Sequence, residues 1–313
     1  MIRFLISIAF AVGSNGVSAQ APSMPPVAKS PWHVEDQKLF DAYLEKLKGL
    51  AKAKKCLAAE EIEKKFETQP KLTAAIPFLK AKTAVLSPED VYDSILPSVV
   101  ILGSVKPTDD DPTEFEDGGF GTAWCLTEDG LFVTNAHMFA NAKGEQFGIG
   151  TQKGDVHPVI DILAIDKVAD VAIFRVAGKG FTPLSVAEKP ARVGSWIATL
   201  GHPGNQLFTY TQGHVSRYSK EKTDAGTERW MGITAEYAQG SSGGPVVDRF
   251  GNVVGMAALT VNIDAIDEPI PDAKLPDKPK AKPDVAVLPT SSVQMVVKLS
   301  VPLAGIRKTL GAK

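Results

Sequence analysis

From Val99 onward the chain consists of short β-prone segments separated by turn residues, and this pattern constrains the fold more than any other feature. Apolar and β-branched residues run for a few positions and then give way to Gly, Asp or Asn. Such a rhythm predicts an antiparallel barrel or sandwich, and the pattern does not choose between them. The predicted strands are residues 99–102, 120–126, 131–134, 159–165, 171–176, 195–200, 208–215, 230–235 and 285–288.

The residues ahead of these strands have helical periodicity. Apolar residues recur at three- and four-residue steps from Leu39 to Leu50 and give one face an apolar stripe. We expect this extension, residues 32–96, to dock on the rest of the chain or act as a spacer, because its helices are too short to be stable alone. Ser87-Pro88-Glu89-Asp90 has the order of an N-cap, a first-turn proline and an acidic third position. Helices are predicted at about 39–50, 58–67, 71–82 and 88–95.

The first nineteen residues predict a secretory signal peptide. Arg3 supplies a charged start, residues 4–12 an apolar segment, and Val17-Ser18-Ala19 a small-residue cleavage site. The apolar segment is too short to span a bilayer, and an uncleaved amphipathic anchor is the alternative. We therefore expect a periplasmic or secreted protein that has no membrane contact after cleavage.

Three further segments are assigned from composition and pattern. Residues 20–31 are rich in Pro and Ser and predict a flexible leader. Residues 264–284 hold five prolines and charges of both signs, which predicts a mobile surface loop. Residues 291–310 predict a terminal helix that Pro302 interrupts.

Charge and cysteine usage exclude several function classes. Thirty-four basic against thirty-six acidic side chains provide no field that would recruit nucleic acid. No Cys or His spacing suits a metal, so neither a metal nor another cofactor is predicted. Cys56 and Cys125 could form a disulfide in an oxidising compartment or remain two buried thiols. The histidines assigned to surface or structural positions are His33, His157, His202 and His214.

Residues 238–248, Ala-Gln-Gly-Ser-Ser-Gly-Gly-Pro-Val-Val-Asp, have the composition of a nucleophile turn. Ser242 is the candidate nucleophile in this stretch. Glycine at Gly240, Gly243 and Gly244 permits unusual dihedrals, so the amides of Gly240 and Ser242 can converge as an oxyanion hole. A plain serine-glycine turn between two strands is the alternative.

A serine nucleophile needs a base and a group that orients the base. His137 ends a short β-prone run, and Asp170 stands at the head of an alternating strand. The order His, Asp, Ser is one in which this triad is known to occur. Asp166 is the alternative to Asp170, although its place before the strand is more typical of a turn.

Three motifs, T-x-A-H at 134–137, D-V-A-I-F at 170–174 and G-x-S-G-G-P at 240–245, together resemble the trypsin-like serine peptidases. The resemblance is closest to the bacterial HtrA/Deg-type branch and covers residues 97–313 approximately. It implies a mainly β fold of two six-stranded antiparallel β-barrels, here with an N-terminal helical extension and a C-terminal helix. His137 and Asp170 would come from the first barrel and Ser242 from the second. Supporting matches lie at 119–123, 193–203 and 213–216.

The resemblance implies a serine endopeptidase that cleaves protein or peptide substrates through an acyl-enzyme and needs no cofactor. No PDZ domain is expected, in contrast to most HtrA/Deg proteins. A catalytically latent protein-binding or chaperone-like module on the same fold is the main alternative, and an esterase or transferase is a third. The N-terminal helices could govern homo-oligomerisation or cover the cleft.

The resemblance also implies residues for the primary specificity pocket. Glu236, six positions before the nucleophile, would lie at the base of the pocket, and Ala258 is a further substrate-binding candidate. Thr260 falls at the pocket mouth, where many relatives have a glycine, which argues against an open charged pocket. A buried, unpaired carboxylate at the base of the pocket would favour Lys or Arg before the scissile bond. A loop shift that turns Glu236 away is the alternative.

Overall fold

A computed structural model of the chain describes residues 33–140, 142–223, 226–264 and 293–311. The predicted signal peptide, the predicted leader and the predicted strand at 285–288 lie outside the described residues, as does the Pro-rich segment from 265 onward. Strands β1 to β13 are Val99–Pro107, Phe115–Cys125, Leu131–Thr134, Gln146–Gly150, Val156–Asp166, Val171–Val176, Ser185–Val186, Trp196–Gly201, Thr209–Thr223, Gly226–Ile233, Pro245–Val247, Asn252–Asp264 and Val293–Pro302. Helices α1 to α4 are Asp36–Lys52, Ala59–Thr68, Pro88–Ile95 and Leu303–Thr309.

Strands β1 to β6 form a closed six-stranded antiparallel barrel in the order β1-β2-β3-β6-β5-β4. The first of the two predicted barrels is therefore confirmed. Its interior is filled by aromatic and branched side chains that alternate with outward positions along each strand. Fully or almost fully buried members include Val100, Leu102, Phe132, Phe139, Phe147, Ile162 and Phe174.

Strands β7 to β13 form a seven-stranded sheet in the order β11-β8-β9-β10-β13-β12-β7, with an additional pairing between β11 and β12. The prediction placed a second six-stranded barrel here, and the structure has a seven-stranded sheet in its place. The extra strand, β7, pairs in parallel with β12, with Ser185 opposite Asn252 and Val186 opposite Val253.

The predicted helix over 291–310 is wrong for most of its length. Val293–Pro302 is strand β13, which pairs along β12, and only Leu303–Thr309 is helical. Valine recurs through the strand part, and β-branched side chains favour an extended backbone. Pro302 is the N-cap of α4 and so starts this helix instead of interrupting one.

The helix predicted at 71–82 is also absent, and these residues run without regular structure. Pro77 cannot continue a helical hydrogen-bond ladder. The backbone amides find tertiary acceptors instead: Ile76 N–H donates to the Leu310 carbonyl and Lys82 N–H to Asn252 Oδ1. Residues 71–82 are therefore held against β12 and the residue that follows α4.

Helix α1 packs its apolar stripe onto the first barrel. Phe40, Tyr43 and Leu47 are buried, and Tyr43 Oη donates to the Gly148 carbonyl at 2.9 Å. A side chain at Gly148 would overlap Leu47, so the barrel surface is shaped to receive the helix. The expected docking of the extension is thereby confirmed for α1. Its apolar stripe, which was considered for oligomerisation, instead packs against the barrel of the same chain.

Helix α3 begins as its sequence predicts. Ser87 Oγ accepts from the Asp90 amide at 3.1 Å, with Pro88 in the first turn. No helix among the described residues is both long and apolar enough to cross a membrane.

Candidate active site

His137 and Asp170 are brought together by the pairing of β3 and β6. His137 lies in the 3₁₀ helix Ala136–Phe139 just after β3, and Asp170 immediately precedes β6. Asp170 Oδ2 lies 2.9 Å from His137 Nδ1, and Asp170 Oδ1 accepts from the His137 amide at 3.0 Å. Because a carboxylate only accepts hydrogen bonds, we assign the ring proton to Nδ1, which leaves Nε2 free to act as a base.

The backbone of Asp170 is held in an unfavourable conformation. Its φ of 54° lies in the left-handed region, which is uncommon for residues other than glycine. The side-chain amide of the fully buried Asn135 donates to the Asp170 carbonyl at 3.0 Å. Strain of this kind persists where the surroundings fix it, so Asn135 contributes to the geometry of the pair. Sequence reasoning did not single out Asn135, although it lies within the T-x-A-H motif.

Asp166, the alternative orienting residue, serves the turn that leads to Asp170. Its Oδ1 accepts from the Ala169 amide at 2.9 Å and its Oδ2 from Lys308 Nζ at 2.6 Å. Burial alone would raise the pKa of the Asp166 carboxyl, but these donors outweigh it and lower the pKa below its usual value.

The turn that carries Ser242 requires glycine at two positions. Gly240 and Gly243 have φ values of 95° and 87°. A side chain on Gly240 would overlap the His202 carbonyl, and one on Gly243 would overlap the Thr122 carbonyl. The glycine-rich sequence therefore produces a turn packed directly against neighbouring backbone.

Two buried threonines attach this turn to the first barrel. The Thr122 amide donates to the Ser242 carbonyl and Thr122 Oγ1 to the Gly240 carbonyl, both at 2.8 Å. Thr134 Oγ1 donates to the Thr122 carbonyl at 2.8 Å. The turn is thus fixed against β2 and β3, the strands that lead to His137. Both threonines lie within motifs singled out from the sequence, at 134–137 and 119–123, but their hydrogen bonds join segments distant in sequence and were not predicted.

The Ser242 hydroxyl points to a backbone acceptor in this structure. Ser242 Oγ donates to the Ala258 carbonyl at 2.9 Å. The structure therefore places Ala258, an expected pocket residue, beside the candidate nucleophile. Proton transfer to His137 requires the Ser242 hydroxyl to leave the Ala258 carbonyl first.

The two amides expected to form the oxyanion hole are available as donors. Neither Gly240 N–H nor Ser242 N–H donates to an acceptor among the described residues. The adjacent Ser241 amide is used differently, because it closes the turn by donating to the Ala238 carbonyl at 3.0 Å. Free amides at this turn are suited to an oxygen that gains negative charge.

The carboxylate of Glu236 does not have the environment that the specificity prediction assumes. Its side chain is 74% exposed, and Oε2 lies 3.2 Å from Lys298 Nζ. Lys298 is almost buried and also donates to the Tyr237 carbonyl at 2.6 Å. Lys298 pairs with Thr260, the expected pocket-mouth residue, across β12 and β13. Glu236 is thus neither buried nor unpaired, and a preference for Lys or Arg gains no support.

Sequence reasoning missed Lys298 because it assigned residues 291–310 to a helix. On a helix, Lys298 would not be aligned with Thr260. The strand register brings the two residues opposite one another and carries the ammonium to Glu236.

Cys56 and Cys125 are free thiols, so the disulfide considered above is absent from this structure. Burial raises the pKa of the Cys56 thiol to about 11 and that of Cys125 to about 12. Neither thiol is therefore suited to act as a nucleophile near neutral pH.

The remaining histidines and the acidic side chains form no second site among the described residues. His202 is fully buried and its Nδ1 accepts from the Phe208 amide at 3.0 Å, which is a structural role. Burial lowers the pKa of His202 to about 4. In the part of the chain that the structure describes, no group of His, Cys, Asp and Glu side chains could hold a metal ion.

Comparison with known proteins identifies the domain that this site belongs to. The family model of the trypsin-like peptidase domain matches residues 121–256, the interval that contains His137, Asp170 and Ser242. Serine protease HTRA2, mitochondrial, of Bos taurus is 31% identical over 150 residues, which are 45% of this chain and 31% of the relative.

Two other relatives match a longer part of the chain. Serine protease HTRA1 of Xenopus laevis is 28% identical over 192 residues, 59% of this chain and 41% of the relative. A serine protease of Mycobacterium tuberculosis is 28% identical over 191 residues, 59% of this chain and 45% of the relative. The chain thus spans less than half the length of each of these relatives. Residues 121–256 are thus similar to the trypsin-like peptidase domain, and the relatives that match the chain include HtrA serine proteases.

Proposed function

We propose that the protein is a serine endopeptidase that hydrolyses peptide bonds of protein substrates through Ser242, His137 and Asp170. The observation that carries the proposal is the pair of hydrogen bonds that the Asp170 carboxylate accepts from the His137 ring and amide. This arrangement fixes both the tautomer and the orientation of the imidazole. The attachment of the nucleophile turn to β2 and β3 supports a common site.

In the proposed reaction, Ser242 first rotates from the Ala258 carbonyl toward His137. Nε2 of His137 takes the hydroxyl proton as Oγ attacks the substrate carbonyl carbon, and the amides of Gly240 and Ser242 stabilise the oxygen that becomes negative. The protonated imidazole, stabilised by Asp170, then gives its proton to the leaving amine as the C–N bond breaks. Water, activated by His137, hydrolyses the acyl-enzyme and restores the serine. Each step uses groups of this chain and a water molecule.

One observation favours a second candidate function, a latent or inactive protein-binding module on the same fold. Ser242 Oγ is engaged by the Ala258 carbonyl at 2.9 Å, so the hydroxyl is not directed to the base in this state. If that rotamer were the stable one in solution, the protein would hold polypeptide in its cleft and cleave it slowly.

The experiment that separates these functions compares the wild-type protein with Ser242→Ala in casein hydrolysis and in labelling by a fluorophosphonate. We expect cleavage and labelling in the wild type and neither in the variant. Labelling without cleavage would indicate a formed site with narrow specificity. Neither signal in a folded wild-type sample would reject the peptidase and favour the binding module. The matched control is Ser241→Ala, which removes the neighbouring buried hydroxyl and should keep both signals.

We further propose that the protein acts outside the cytoplasm, on the basis of the charged, apolar and small-residue order of residues 1–19. N-terminal sequencing of the protein from a fractionated host cell tests this proposal. A mature start at Gln20 in the periplasm or medium is expected, and an intact Met1 in the cytoplasm would contradict it.

A further inference from the structure

The loop between β8 and β9 has a strained backbone. Gly204, Asn205 and Phe208 have positive φ values of 54°, 66° and 57°. A bulky residue such as Phe208 rarely adopts this conformation, and it persists only where other contacts fix it. The loop therefore depends on its neighbours for its shape.

This loop holds the peptide bond that presents the Gly240 amide. Gly204 N–H donates to the Gln239 carbonyl at 2.9 Å. In a trans peptide the carbonyl and the following N–H point in opposite directions, and every described peptide bond is trans. The bond from Gly204 therefore directs Gly240 N–H away from the loop. A reversal of this peptide would break the bond and put a carbonyl oxygen in place of the oxyanion donor.

Helix α1 contacts the loop directly and approaches the nucleophile turn through Phe120 of β2. Asp36 Oδ1 accepts from the Leu207 amide at 2.9 Å, a charge-assisted hydrogen bond to the loop. One helical turn later, the Phe40 ring lies 5.0 Å from the Phe120 ring in an edge-to-face contact. A side chain on Gly240 would come within 3.0 Å of the Phe120 ring, so this ring borders the nucleophile turn.

We infer that α1 sets the oxyanion donor of the proposed peptidase, with Asp36 as a positioning residue that acts through Leu207, Gly204 and Gln239. This inference rests on the proposed function, since an oxyanion donor has a role only in acyl transfer. Asp36 fixes the loop, the loop fixes the Gln239–Gly240 peptide, and this peptide presents Gly240 N–H. The N-terminal extension is then part of the catalytic assembly as well as a docked appendage.

Amide hydrogen exchange of the full chain tests the structural link without any substrate. In Asp36→Ala we expect the Leu207 and Gly204 amides to exchange about tenfold faster than in the wild type, because each loses support for its hydrogen bond. Asp36→Asn keeps a side-chain oxygen acceptor and should give a smaller increase. The matched control is Asp41→Ala on the same helix, whose side chain accepts from Gln37. Faster exchange at Leu207 with unchanged exchange at Gly204 would overturn the inference.

Steady-state kinetics tests the consequence for the reaction. Because an oxyanion donor acts in the transition state, Asp36→Ala should lower kcat about tenfold with KM within about twofold, and Asp36→Asn should restore most of the rate. Asp41→Ala should match the wild type. Equal kcat in Asp36→Ala and the wild type would overturn the inference. If the wild type itself neither cleaves casein nor reacts with fluorophosphonate, the proposed function fails, and the exchange data still decide whether Asp36 controls the Gln239–Gly240 peptide.

Discussion

The proposed site has two halves: the barrel half, with His137 and Asp170, and the serine half, which is the turn that carries Ser242. They differ in how firmly their reacting groups are held. In the barrel half, His137 donates two hydrogen bonds to the Asp170 carboxylate, and Asn135 in turn fixes the Asp170 backbone. In the other half, the backbone of the nucleophile turn is fixed, but the Ser242 hydroxyl donates to the Ala258 carbonyl. The base is thus preorganised, whereas the nucleophile hydroxyl must first leave its backbone acceptor.

The difference follows from the way the two halves are built. His137 and Asp170 adjoin the paired strands β3 and β6, so strand register alone brings them together. Ser242 lies in a turn whose shape depends on contacts from several separate segments, among them Thr122 and the His202 carbonyl. Regulation of the site is therefore expected to act on the serine half.

The largest expected effect breaks the preorganised half. In Asp170→Asn, the amide can donate to His137 and favours the wrong tautomer, so kcat should fall by about 10⁴ with KM little changed. Steady-state hydrolysis of a peptide that the wild type cleaves gives the measurement.

The control for this variant is Asp166→Asn, which removes the other aspartate near the turn. It should keep wild-type kcat within about twofold and lower the free energy of unfolding by about 1 kcal/mol, since it weakens a largely surface ion pair with Lys308. Equal losses of kcat in the two variants would contradict the assignment of Asp170.

The second prediction concerns the free energy of unfolding at acid pH, which depends on His202, a residue beside the serine half. Folding keeps His202 neutral, because burial lowers its pKa from 6.5 to about 4. The penalty for protonation is absent above pH 6.5 and complete below about pH 4, so stability should fall by about 3 kcal/mol as the pH drops through this window. Urea unfolding at a series of pH values measures the loss.

His202→Gln should flatten this part of the pH profile, although the variant itself is less stable. His214→Gln, at an exposed position, is the matched control and should leave the wild-type slope between pH 4 and 6.5. An unchanged slope in His202→Gln would show that acid sensitivity arises elsewhere.

Most of the fold was predictable where local pattern and tertiary structure agree. The strands of the first barrel follow from β-prone segments, its closure with six strands was implied by the resemblance to trypsin-like peptidases, and the α3 cap follows from Ser87 and Pro88. The prediction failed for residues 291–310, where charged and apolar residues fit helical spacing but pairing with β12 stabilises a strand. Tertiary pairing decides such cases, and sequence periodicity does not report it.

The candidate site was predictable in its reacting groups and less so in their supports. Three motifs in order indicated His137, Asp170 and Ser242, because the chemistry restricts the residue types. Thr122 and Asn135 were missed, since their roles arise from hydrogen bonds between segments distant in sequence. The role of Glu236 was misjudged because its partner Lys298 comes from a strand that the sequence did not reveal.

The third prediction sharpens the serine half through specificity. In Lys298→Met, Glu236 loses its ion-pair partner, and because its side chain is 74% exposed, cleavage after Lys or Arg should rise by at most about fivefold relative to cleavage after small aliphatic residues. Cleavage-site profiling with a peptide library gives the ratio.

Lys308→Met is the control for this change. It also removes a lysine that pairs with a carboxylate, in this case Asp166, and should leave the cleavage profile unchanged. The same profile in wild type and Lys298→Met would mean that Glu236 does not line the specificity pocket.

The smallest expected effect tests whether a covalent link contributes to the rigidity of the barrel half. A disulfide between Cys56 and Cys125 would close a long loop and stabilise the fold by about 4 kcal/mol. Since both thiols are free, a reducing agent should leave the midpoint of thermal unfolding unchanged. Alkylation of the denatured, non-reduced protein should add two labels by mass, and an unlabelled protein would reveal the bond. With no bond, the fixed geometry of His137 and Asp170 rests on strand pairing and hydrogen bonds alone.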